Sequence, residues 1–400
     1  MAKRKIACRD ERRASVPVAS PGARALACVV AASACLAGLV GLLAGAASGT
    51  RADLPAGAAS GTRPGLPAAA PPAGLAVPRA AGRLAAAELG LVINTADAYS
   101  VEVGEFYARA RGLRAAQVLR LEVPLKPSLA PEELDALRAA IDAHFGPGIQ
   151  ALALAWREPF AVQCNGITGA LALGFDAALC AQPCGASRAS PYFNARTARP
   201  WTDLKLRPSM LIAAPDAASA KALIERGVQA DGSLGRRGAP PVHAVFLTTV
   251  DRARNGRAAL YPPSGALRGA GVDVKVAPAA TLRGAERLLI VQAGATRVDH
   301  LPTLRWVPGA LADHLTSFGG RLDGGGGQMT AVEWIASGAT ASHGTVSEPC
   351  SHLRKFPHPQ LLLLHYVQGS TALEAYWKSV AWPLQGVFVG EPLAAPFARP

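Results

Sequence analysis

Residues 89–112 have the sequence LGLVINTADAYSVEVGEFYARARG, which indicates the fold class of the chain. The first part, Leu89–Thr95, is a short apolar run with β-branched residues, as in a strand that is buried on both faces. The second part, Ser100–Gly112, has apolar residues at helical spacing. A buried strand followed directly by a helix is the repeating unit of sheets with parallel strands.

The same alternation continues along the chain. Apolar runs bounded by Gly, Pro or Asp predict further strands at Val118–Val123, Ile149–Trp156, Met210–Ala213, Ala244–Thr249, Val272–Val276 and Leu288–Gln292. Helical patterns lie between them at Pro131–Phe145 and Asp216–Ala230, and Asp216 is expected to be an N-cap. The sequence therefore predicts an α/β fold with a mainly parallel sheet and helices on both faces.

Motifs for nucleotide cofactors are absent from the sequence. The first strand runs into Asn94-Thr95-Ala96-Asp97 instead of a G-x-G-x-x-G turn, and the chain has neither a P-loop nor a G-x-S-x-G motif. The spacings of His and acidic residues match no zinc-site pattern. We therefore predict no cofactor and no metal.

The formal charge of +13 is concentrated near the start of the chain. Residues 1–83 contain 11 basic and 3 acidic residues, whereas residues 84–400 contain 30 basic and 25 acidic ones. The second segment has no Lys/Arg-rich run, so its small excess is a weak footprint for DNA or RNA. We expect no nucleic-acid partner.

The start of the chain predicts a membrane partner. Residues 1–24 form a basic head, and the uncharged stretch Ala25–Ala47 is long enough to cross a hydrocarbon core of roughly 30 Å. Basic residues before such a stretch place that end in the cytoplasm. Two alternatives remain: a single-pass anchor in a bacterial inner membrane with a periplasmic C-terminal domain, or export after signal cleavage near Ala44-Gly45-Ala46.

A linker is predicted between this segment and the folded part. From Ala44 to Arg83, 27 of 40 residues are Ala, Gly or Pro, and GAASGTRADLPA (45–56) recurs as GAASGTRPGLPA (57–68). Such a composition cannot bury enough apolar surface to offset chain entropy. We therefore predict a disordered linker over 48–83 and a globular α/β domain over 84–400.

Chemically active side chains concentrate after residue 310. The candidate catalytic residues are Asp313, His314, Ser317, His343, Glu348 and Cys350. A thiol becomes a nucleophile when a neighbouring imidazole takes its proton, so His343 or His314 with Cys350 is the first dyad to test. Ser317 is an alternative nucleophile. The pair Asp313-His314 equally fits a helix cap.

Cysteine pairing bears directly on this hypothesis. The globular part contains Cys164, Cys180, Cys184 and Cys350, which outside the cytoplasm allow two disulfides in three pairings. Cys180 and Cys184 are close enough in sequence to bridge each other. A disulfide at Cys350 would exclude it as a nucleophile.

Three longer segments resemble a known protein family. They are PGALADHLTSFGG (308–320), GQMTAVEWIASGATASHGTVSEPC (327–350) and GSTALEAYWKSVAWPLQGVFVGEPLA (369–394). They resemble an uncharacterised family of bacterial exported or membrane-anchored proteins, and the resemblance extends over residues 89–397. It implies an exported globular domain.

The end of the chain resembles a second family. The helix pattern Gly369–Ala375, followed by a strand ending in Val389-Gly390-Glu391-Pro392, is similar to the close of gingipain-type cysteine peptidases. This resemblance implies a caspase-like three-layer sandwich. Those enzymes have His-Gly after one strand and the catalytic Cys after the next, where this chain has Ala293–Thr296 and Thr316-Ser317.

Two functions are therefore predicted. The first is a non-catalytic relative of caspase-like peptidases that binds a peptide or an envelope protein. The alternative is a thiol or serine hydrolase that uses Cys350 or Ser317 with His343 or His314. Ligands of parallel sheets bind at the carboxyl ends of the strands, and we expect the site on the rim formed by the last hundred residues.

Overall fold

The first strand and helix form where the sequence predicts them. In the computed structural model, which describes residues 77–80, 82–236 and 238–399, β1 spans Leu89–Asn94 and α1 spans Ala98–Ala110. All of β1 is buried. The Asp97 carboxylate accepts a hydrogen bond of 3.0 Å from the Tyr99 amide and so caps the start of α1.

The other elements follow in chain order. The strands are β2 (Val118–Leu121), β3 (Ser128–Leu129), β4 (Ala151–Leu154), β5 (Ala161–Val162), β6 (Asn165–Gly166), β7 (Ser209–Leu211), β8 (Val242–Thr248), β9 (Gly265–Leu267), β10 (Val272–Pro278), β11 (Leu288–Gly294), β12 (Trp306–Leu315), β13 (Ala341–Thr345) and β14 (Gly386–Gly390). The helices are α2 (Pro131–His144), α3 (Ile167–Leu173), α4 (Ala178–Ala181), α5 (Pro200–Leu204), α6 (Ala217–Ala230), α7 (Ala331–Ser337), α8 (Pro359–Val367) and α9 (Ala372–Ser379). Asp216 caps α6 as predicted, since its carboxylate accepts a 2.7 Å hydrogen bond from the Ser219 amide.

Eleven of these strands form one sheet, in the order β2-β1-β4-β7-β14-β13-β12-β11-β8-β10-β9. Neighbouring strands are parallel except at β14–β13 and at β10–β9. A separate small sheet contains β3, β5 and β6. The α/β class with a mainly parallel sheet is thus confirmed.

The antiparallel contact at β14–β13 divides the sheet into two halves. We call β2, β1, β4 and β7 the N-terminal half-sheet, and β10, β8, β11, β12 and β13 the C-terminal half-sheet. β14 is parallel to β7 but antiparallel to β13, so the two half-sheets run in opposite directions. Their carboxyl ends therefore lie at opposite edges, which corrects the expectation of a single binding rim.

Each half-sheet repeats the same connection pattern. The chain goes from β1 outward to β2 and then returns to β4 on the other side of β1; likewise it goes from β8 outward to β10 and returns to β11. The chain thus leaves the central strand on one side and then continues on its other side. Such a topological switch point opens a crevice at the carboxyl ends of the strands, where α/β proteins bind ligands.

Both faces of the sheet are covered. Along β8, Ala244 and Phe246 belong to one hydrophobic cluster, whereas Val245 and Leu247 belong to a second. Successive side chains of a strand point to opposite faces, so each face has its own apolar layer. The second cluster includes Trp334 of α7, which is fully buried.

Among the strands that were not predicted from the sequence, two carry candidate site residues. β12 contains Asp313 and His314, so the predicted helix cap at this pair is wrong. β13 contains His343. Both strands are rich in small residues and are almost wholly buried. Because strand preference depends mainly on packing against neighbours, Ala- and Gly-rich segments in the middle of a sheet give a weak local signal.

The predicted head and apolar segment, 1–24 and 25–47, lie outside the described residues. Within the described part of the chain, no helix has the length and apolar character needed to cross a membrane. Of the predicted linker, the last residues are described. Arg79 donates a 2.9 Å hydrogen bond to the Phe397 carbonyl, and the Ala80 amide donates one of 3.2 Å to Gln368, so these residues lie against the end of the chain.

Candidate functional site

The sheet brings two of the predicted site residues to the same level. Leu311 of β12 pairs with Ala341 of β13, which places Asp313 and His343 at corresponding positions two residues further on. Gln292 of β11 pairs with Asp313 on the other side. Polar side chains therefore form a short row across the C-terminal half-sheet.

Asp313 is held in a structural ion pair. Its carboxylate is fully buried and accepts hydrogen bonds from the Arg257 guanidinium and, at 2.8 Å, from the Gln292 amide. Arg257 is itself buried and donates to the Ala293 carbonyl at 2.8 Å. Burial raises the pKa of Asp313, and the guanidinium of Arg257 opposes that shift. Asp313 therefore fixes β11 and β12 to the segment that carries Arg257.

His314 has no free ring nitrogen. The Trp334 indole donates to Nδ1 at 2.9 Å, and Nε2 lies 3.1 Å from the Met329 carbonyl. The imidazole is thus neutral, with its proton on Nε2, and burial lowers its pKa to about 3. Both nitrogens are engaged, so the predicted role of His314 as a base is corrected to a structural one.

His343 is buried among aromatic rings. Its side chain is in the sheet interior, 1% exposed, with the rings of Phe388 and Phe356 at centroid distances of 5.0 and 6.2 Å. Among the described residues, neither ring nitrogen has a hydrogen-bond partner. Burial, and then the nearby charge of Arg257, lower the pKa of His343 to about 3. The predicted contact with Cys350 or Ser317 is therefore not formed.

Cys350 forms a disulfide with Cys184, and Cys164 forms one with Cys180. The nucleophilic form of cysteine is the thiolate, so the prediction of a Cys350 nucleophile is wrong for this structure. The short bridge between Cys180 and Cys184 is likewise not formed. The Cys350 amide donates a 2.8 Å hydrogen bond to Glu348, which accounts for that carboxylate within the loop after β13.

Ser317 follows the end of β12 and is half-buried. Its carbonyl accepts a 2.9 Å hydrogen bond from the Thr345 hydroxyl. The preceding Thr316 donates to Gln328 at 2.6 Å and accepts from the Arg254 guanidinium at 3.2 Å. No imidazole of the described residues hydrogen-bonds to Ser317, so the predicted serine dyad is not assembled either.

Open space lies instead at the switch point of the C-terminal half-sheet. A cleft of about 600 Å³, which we call the β8–β11 crevice, is formed by the residues that follow β8, β10 and β11. Thr249, Val250 and Asp251 come from the first of these loops, and Thr296 and Arg297 from the third. Val250 is fully exposed at its rim.

The walls of this crevice are fixed by hydrogen bonds. The Thr249 hydroxyl donates to the Gly294 carbonyl at 2.5 Å, and its amide donates to Asn255 at 3.0 Å. Asp251 accepts hydrogen bonds from the amide and the guanidinium of Arg254. The ends of β8 and β11 are thus joined into one preformed surface.

A second cleft lies at the switch point of the N-terminal half-sheet. This β1–β4 crevice has a volume of about 460 Å³ and is lined by Asp97, Tyr99, Leu125, Arg157 and Asp216, among others. The Arg157 guanidinium donates to the Pro215 carbonyl at 2.6 Å and lies 6.0 Å from the Tyr99 ring centroid. Because the half-sheets run in opposite directions, this crevice is at the other edge of the sheet.

The solved structure of the Arg-specific cysteine proteinase gingipain R is similar to this chain, with a TM-score of 0.38, 10% sequence identity and 78% of each chain covered. No protein-family profile matches the chain, and neither does any curated protein. A TM-score this low supports no argument about the site. The caspase-like sandwich therefore stays a prediction.

The crevices were missed at the sequence level for a simple reason. Each is formed by loops that come together only after the sheet has formed, and Asp251 and Thr296 are 45 positions apart in the sequence. The one usable signal was the rule that ligands bind at strand ends. If the predicted strands Ala244–Thr249 and Leu288–Gln292 are taken as neighbours in the sheet, this rule points to Thr249 and Thr296.

Proposed function

We propose that this chain is an exported, non-catalytic binding protein of the bacterial cell envelope, and that it binds a peptide segment in the β8–β11 crevice. The observation that carries the proposal is the position of this crevice. It lies at the topological switch point between β8 and β11, where parallel sheets bind their ligands. Its volume of about 600 Å³ is within the usual range for ligand sites.

The lining of the crevice fits a peptide better than a strongly charged ligand. Asp251 is already paired with Arg254 at 2.9 Å, and Arg297 with Glu333 at 2.7 Å, which leaves Asp299 as the one charged residue of the described lining outside an ion pair. Val250 and several small apolar residues offer a surface for an apolar side chain. Threonine hydroxyls beside them suit amide groups.

The arrangement of the predicted catalytic groups supports a non-catalytic role. Cys350 is in a disulfide, and His314 and His343 are buried, with pKa values lowered to about 3. A general base needs a pKa near the working pH and hydrogen-bond reach to its nucleophile. Neither imidazole meets these requirements here.

The disulfides support export. All four cysteines of the described residues are paired, and disulfides persist mainly in oxidising compartments such as the periplasm. This agrees with the sequence-based prediction of an apolar segment over Ala25–Ala47. A thiol count on protein taken from intact cells under alkylation tests it, and free thiols at these four positions in cells would contradict export.

The binding proposal is tested with a displayed library of linear peptides selected on the folded full-length protein. Selected peptides are then titrated by fluorescence anisotropy against the wild type and Val250→Asp. Val250 is fully exposed, so this substitution leaves the core untouched. We expect the affinity to fall at least about tenfold, since a charge replaces an apolar contact.

Leu364→Asp is the matched control. Leu364 is 40% exposed on α8, outside the crevice, and its substitution introduces the same charge at a partly exposed apolar position. The affinity of the Leu364→Asp variant for the selected peptides is expected to equal that of the wild type. Peptides that bind Val250→Asp and the wild type equally would place the site elsewhere. Cleavage of a bound peptide by the purified protein would contradict the non-catalytic role.

A further inference from the structure

A small pocket on the N-terminal half-sheet is separate from both crevices. We call it the Trp201 pocket. It has a volume of about 160 Å³ and lies between α2, α3 and α5. Its apolar lining includes Ile141 of α2, Leu152 of β4 and Leu171 of α3, with the Trp201 ring beside them. A cavity of about 150 Å³ has room for benzene, so the volume of this pocket is sufficient for one aromatic ring or branched side chain.

A buried cation lies at one side of this apolar space. The Arg207 side chain is 6% exposed, and its guanidinium lies 3.7 Å from the centroid of the Trp201 ring. Its Nε donates to Ile149 at 3.2 Å, and Nη2 donates to the carbonyls of Phe145 and Gly146. Nη1 donates one N–H to Asp142 at 2.8 Å. The guanidinium is thus fixed in place.

One N–H group of the Arg207 guanidinium has no acceptor among the described residues. Arginine has five N–H groups, and the contacts with described residues use four of them, which leaves one N–H on Nη1. Burial lowers the pKa of Arg207, as expected for a desolvated cation. A spare N–H on a buried charged group is a ready donor for an anionic ligand.

The rim adds further positive charge. Arg138 and Lys205 line the pocket with Arg207, whereas Asp142 is the one acidic residue in the described lining. Neither Arg138 nor Lys205 forms an ion pair with a carboxylate of the described residues, and the Lys205 ammonium donates a 3.3 Å hydrogen bond to the Thr202 carbonyl. Apolar lining with uncompensated cations at the rim matches a ligand with an apolar body and an anionic head.

We infer that the Trp201 pocket binds a carboxylate attached to a single aromatic or branched apolar group. Two sources carry this chemistry: a free organic acid, and the C-terminal residue of a peptide. In either case the apolar group packs against Ile141, Leu152 and Trp201, and the carboxylate accepts hydrogen bonds from Arg138 and Arg207. This site is independent of the β8–β11 crevice.

The test is calorimetric titration of the full-length protein with defined probes. Phenylpropanoate is compared with phenylpropanol, which has the same ring but no charge. We expect phenylpropanoate to bind with a Kd of about 1 mM or tighter, which is within reach of a ligand with this number of atoms. Phenylpropanol is expected to bind at least about tenfold more weakly. N-acetyl-phenylalanine and its C-terminal amide repeat the comparison for a peptide end.

Variants locate the binding. Arg138→Gln removes a partly exposed rim cation without touching the fixed Arg207, and it is expected to weaken acid binding about tenfold. Arg196→Gln is the control, because Arg196 is exposed and lies outside the pocket, although it is close in sequence to the pocket residue Trp201. It removes the same charge and is expected to leave the Kd unchanged.

The outcomes distinguish a peptide C-terminus from a free organic acid as the ligand, and they also test whether the inference holds. Tighter binding of N-acetyl-phenylalanine than of phenylpropanoate supports a peptide C-terminus as the ligand, whereas the reverse order supports a free acid. Equal binding of acid and alcohol overturns the inference, as does equal weakening by Arg138→Gln and Arg196→Gln. Failure of phenylpropanoate and N-acetyl-phenylalanine to bind also overturns it.

Discussion

Glu391 and Arg111 form a buried ion pair that joins the two ends of the folded chain. The Nη2–Oε2 distance is 2.5 Å, and the side chains are 0% and 7% exposed. Glu391 directly follows β14, and Arg111 directly follows α1. The Tyr107 hydroxyl donates to the same carboxylate at 2.8 Å, and Arg111 also bonds to Asp231 at the end of α6.

Removal of Glu391 is expected to destabilise the fold strongly. In Glu391→Ala, the buried Arg111 keeps its pair with the partly exposed Asp231 but loses both hydrogen bonds to Glu391, and the Tyr107 hydroxyl loses its acceptor. Breaking a buried pair by removing one member typically costs about 3–5 kcal/mol, because the remaining charge stays desolvated. Urea unfolding measures this cost. Lys126→Ala is the control: it breaks the partly exposed Lys126–Glu133 pair, which is worth about 1 kcal/mol or less.

Gly227 in α6 tests the same contact from the other side. A Cβ added at this position would overlap the carboxylate of Glu391. Alanine in a helix interior is normally more stable than glycine by about 1 kcal/mol, but here we expect Gly227→Ala to destabilise. In a Glu391→Ala background the clash is gone, so the substitution should become neutral or stabilising. A double-mutant cycle by urea unfolding measures the difference.

These contacts show which parts of the molecule were predictable from sequence. The strand Leu89–Asn94, its following helix and the Asp216 cap come from local patterns, and they form as expected. Glu391 and Arg111 are 280 positions apart. The residues around Glu391 and those around Arg111 do not predict this ion pair, because the order of the strands in the sheet determines which distant segments come into contact.

The candidate site shows the same division. Asp313 and His343, two of the candidate residues after position 310, lie at one level of the sheet. Their chemistry depends on burial and partners, however, and those come from distant residues such as Arg257 and Trp334. The clefts lie between loops that are distant in the sequence, so local patterns predict neither their volume nor their full lining, although the strand-end rule points to Thr249 and Thr296.

His314 and His343 are expected to respond in opposite ways to substitution by leucine. His314→Leu leaves the buried Trp334 indole and Met329 carbonyl unpaired, which should cost about 2–4 kcal/mol at neutral pH. His343→Leu removes two buried nitrogens that have no partners among the described residues, so stability should stay equal or rise by about 1 kcal/mol. Urea midpoints of the two purified variants test this contrast. A large loss in His343→Leu would show that His343 has polar partners.

The pH dependence follows from the same lowered pKa values. His343 has a folded pKa of about 3 against an ordinary value of 6.5. Between these values the unfolded chain binds a proton that the folded chain does not, so stability is complete above about pH 6.5 and falls on acidification. The slope for one histidine is about 1.4 kcal/mol per pH unit.

His343→Leu should therefore lose less stability than the wild type on acidification. Between about pH 6.5 and pH 5 the difference should reach about 2 kcal/mol in the unfolding free energy. His314 titrates in both proteins, so the comparison isolates His343. Parallel pH profiles of the wild type and the variant would contradict a neutral, buried His343.

The two disulfides should differ in their contribution to stability. Cys184–Cys350 spans 166 positions and Cys164–Cys180 spans 16. A longer closed loop removes more conformational entropy from the unfolded chain, and the chain-entropy relation gives about 5 kcal/mol for the first and about 3 for the second. Each pair is replaced by two serines, and urea unfolding is measured without reductant. The variant lacking Cys184–Cys350 should unfold at the lower urea concentration. The opposite order would mean that the short bridge secures native contacts of α3 and α4 beyond its effect on the unfolded chain.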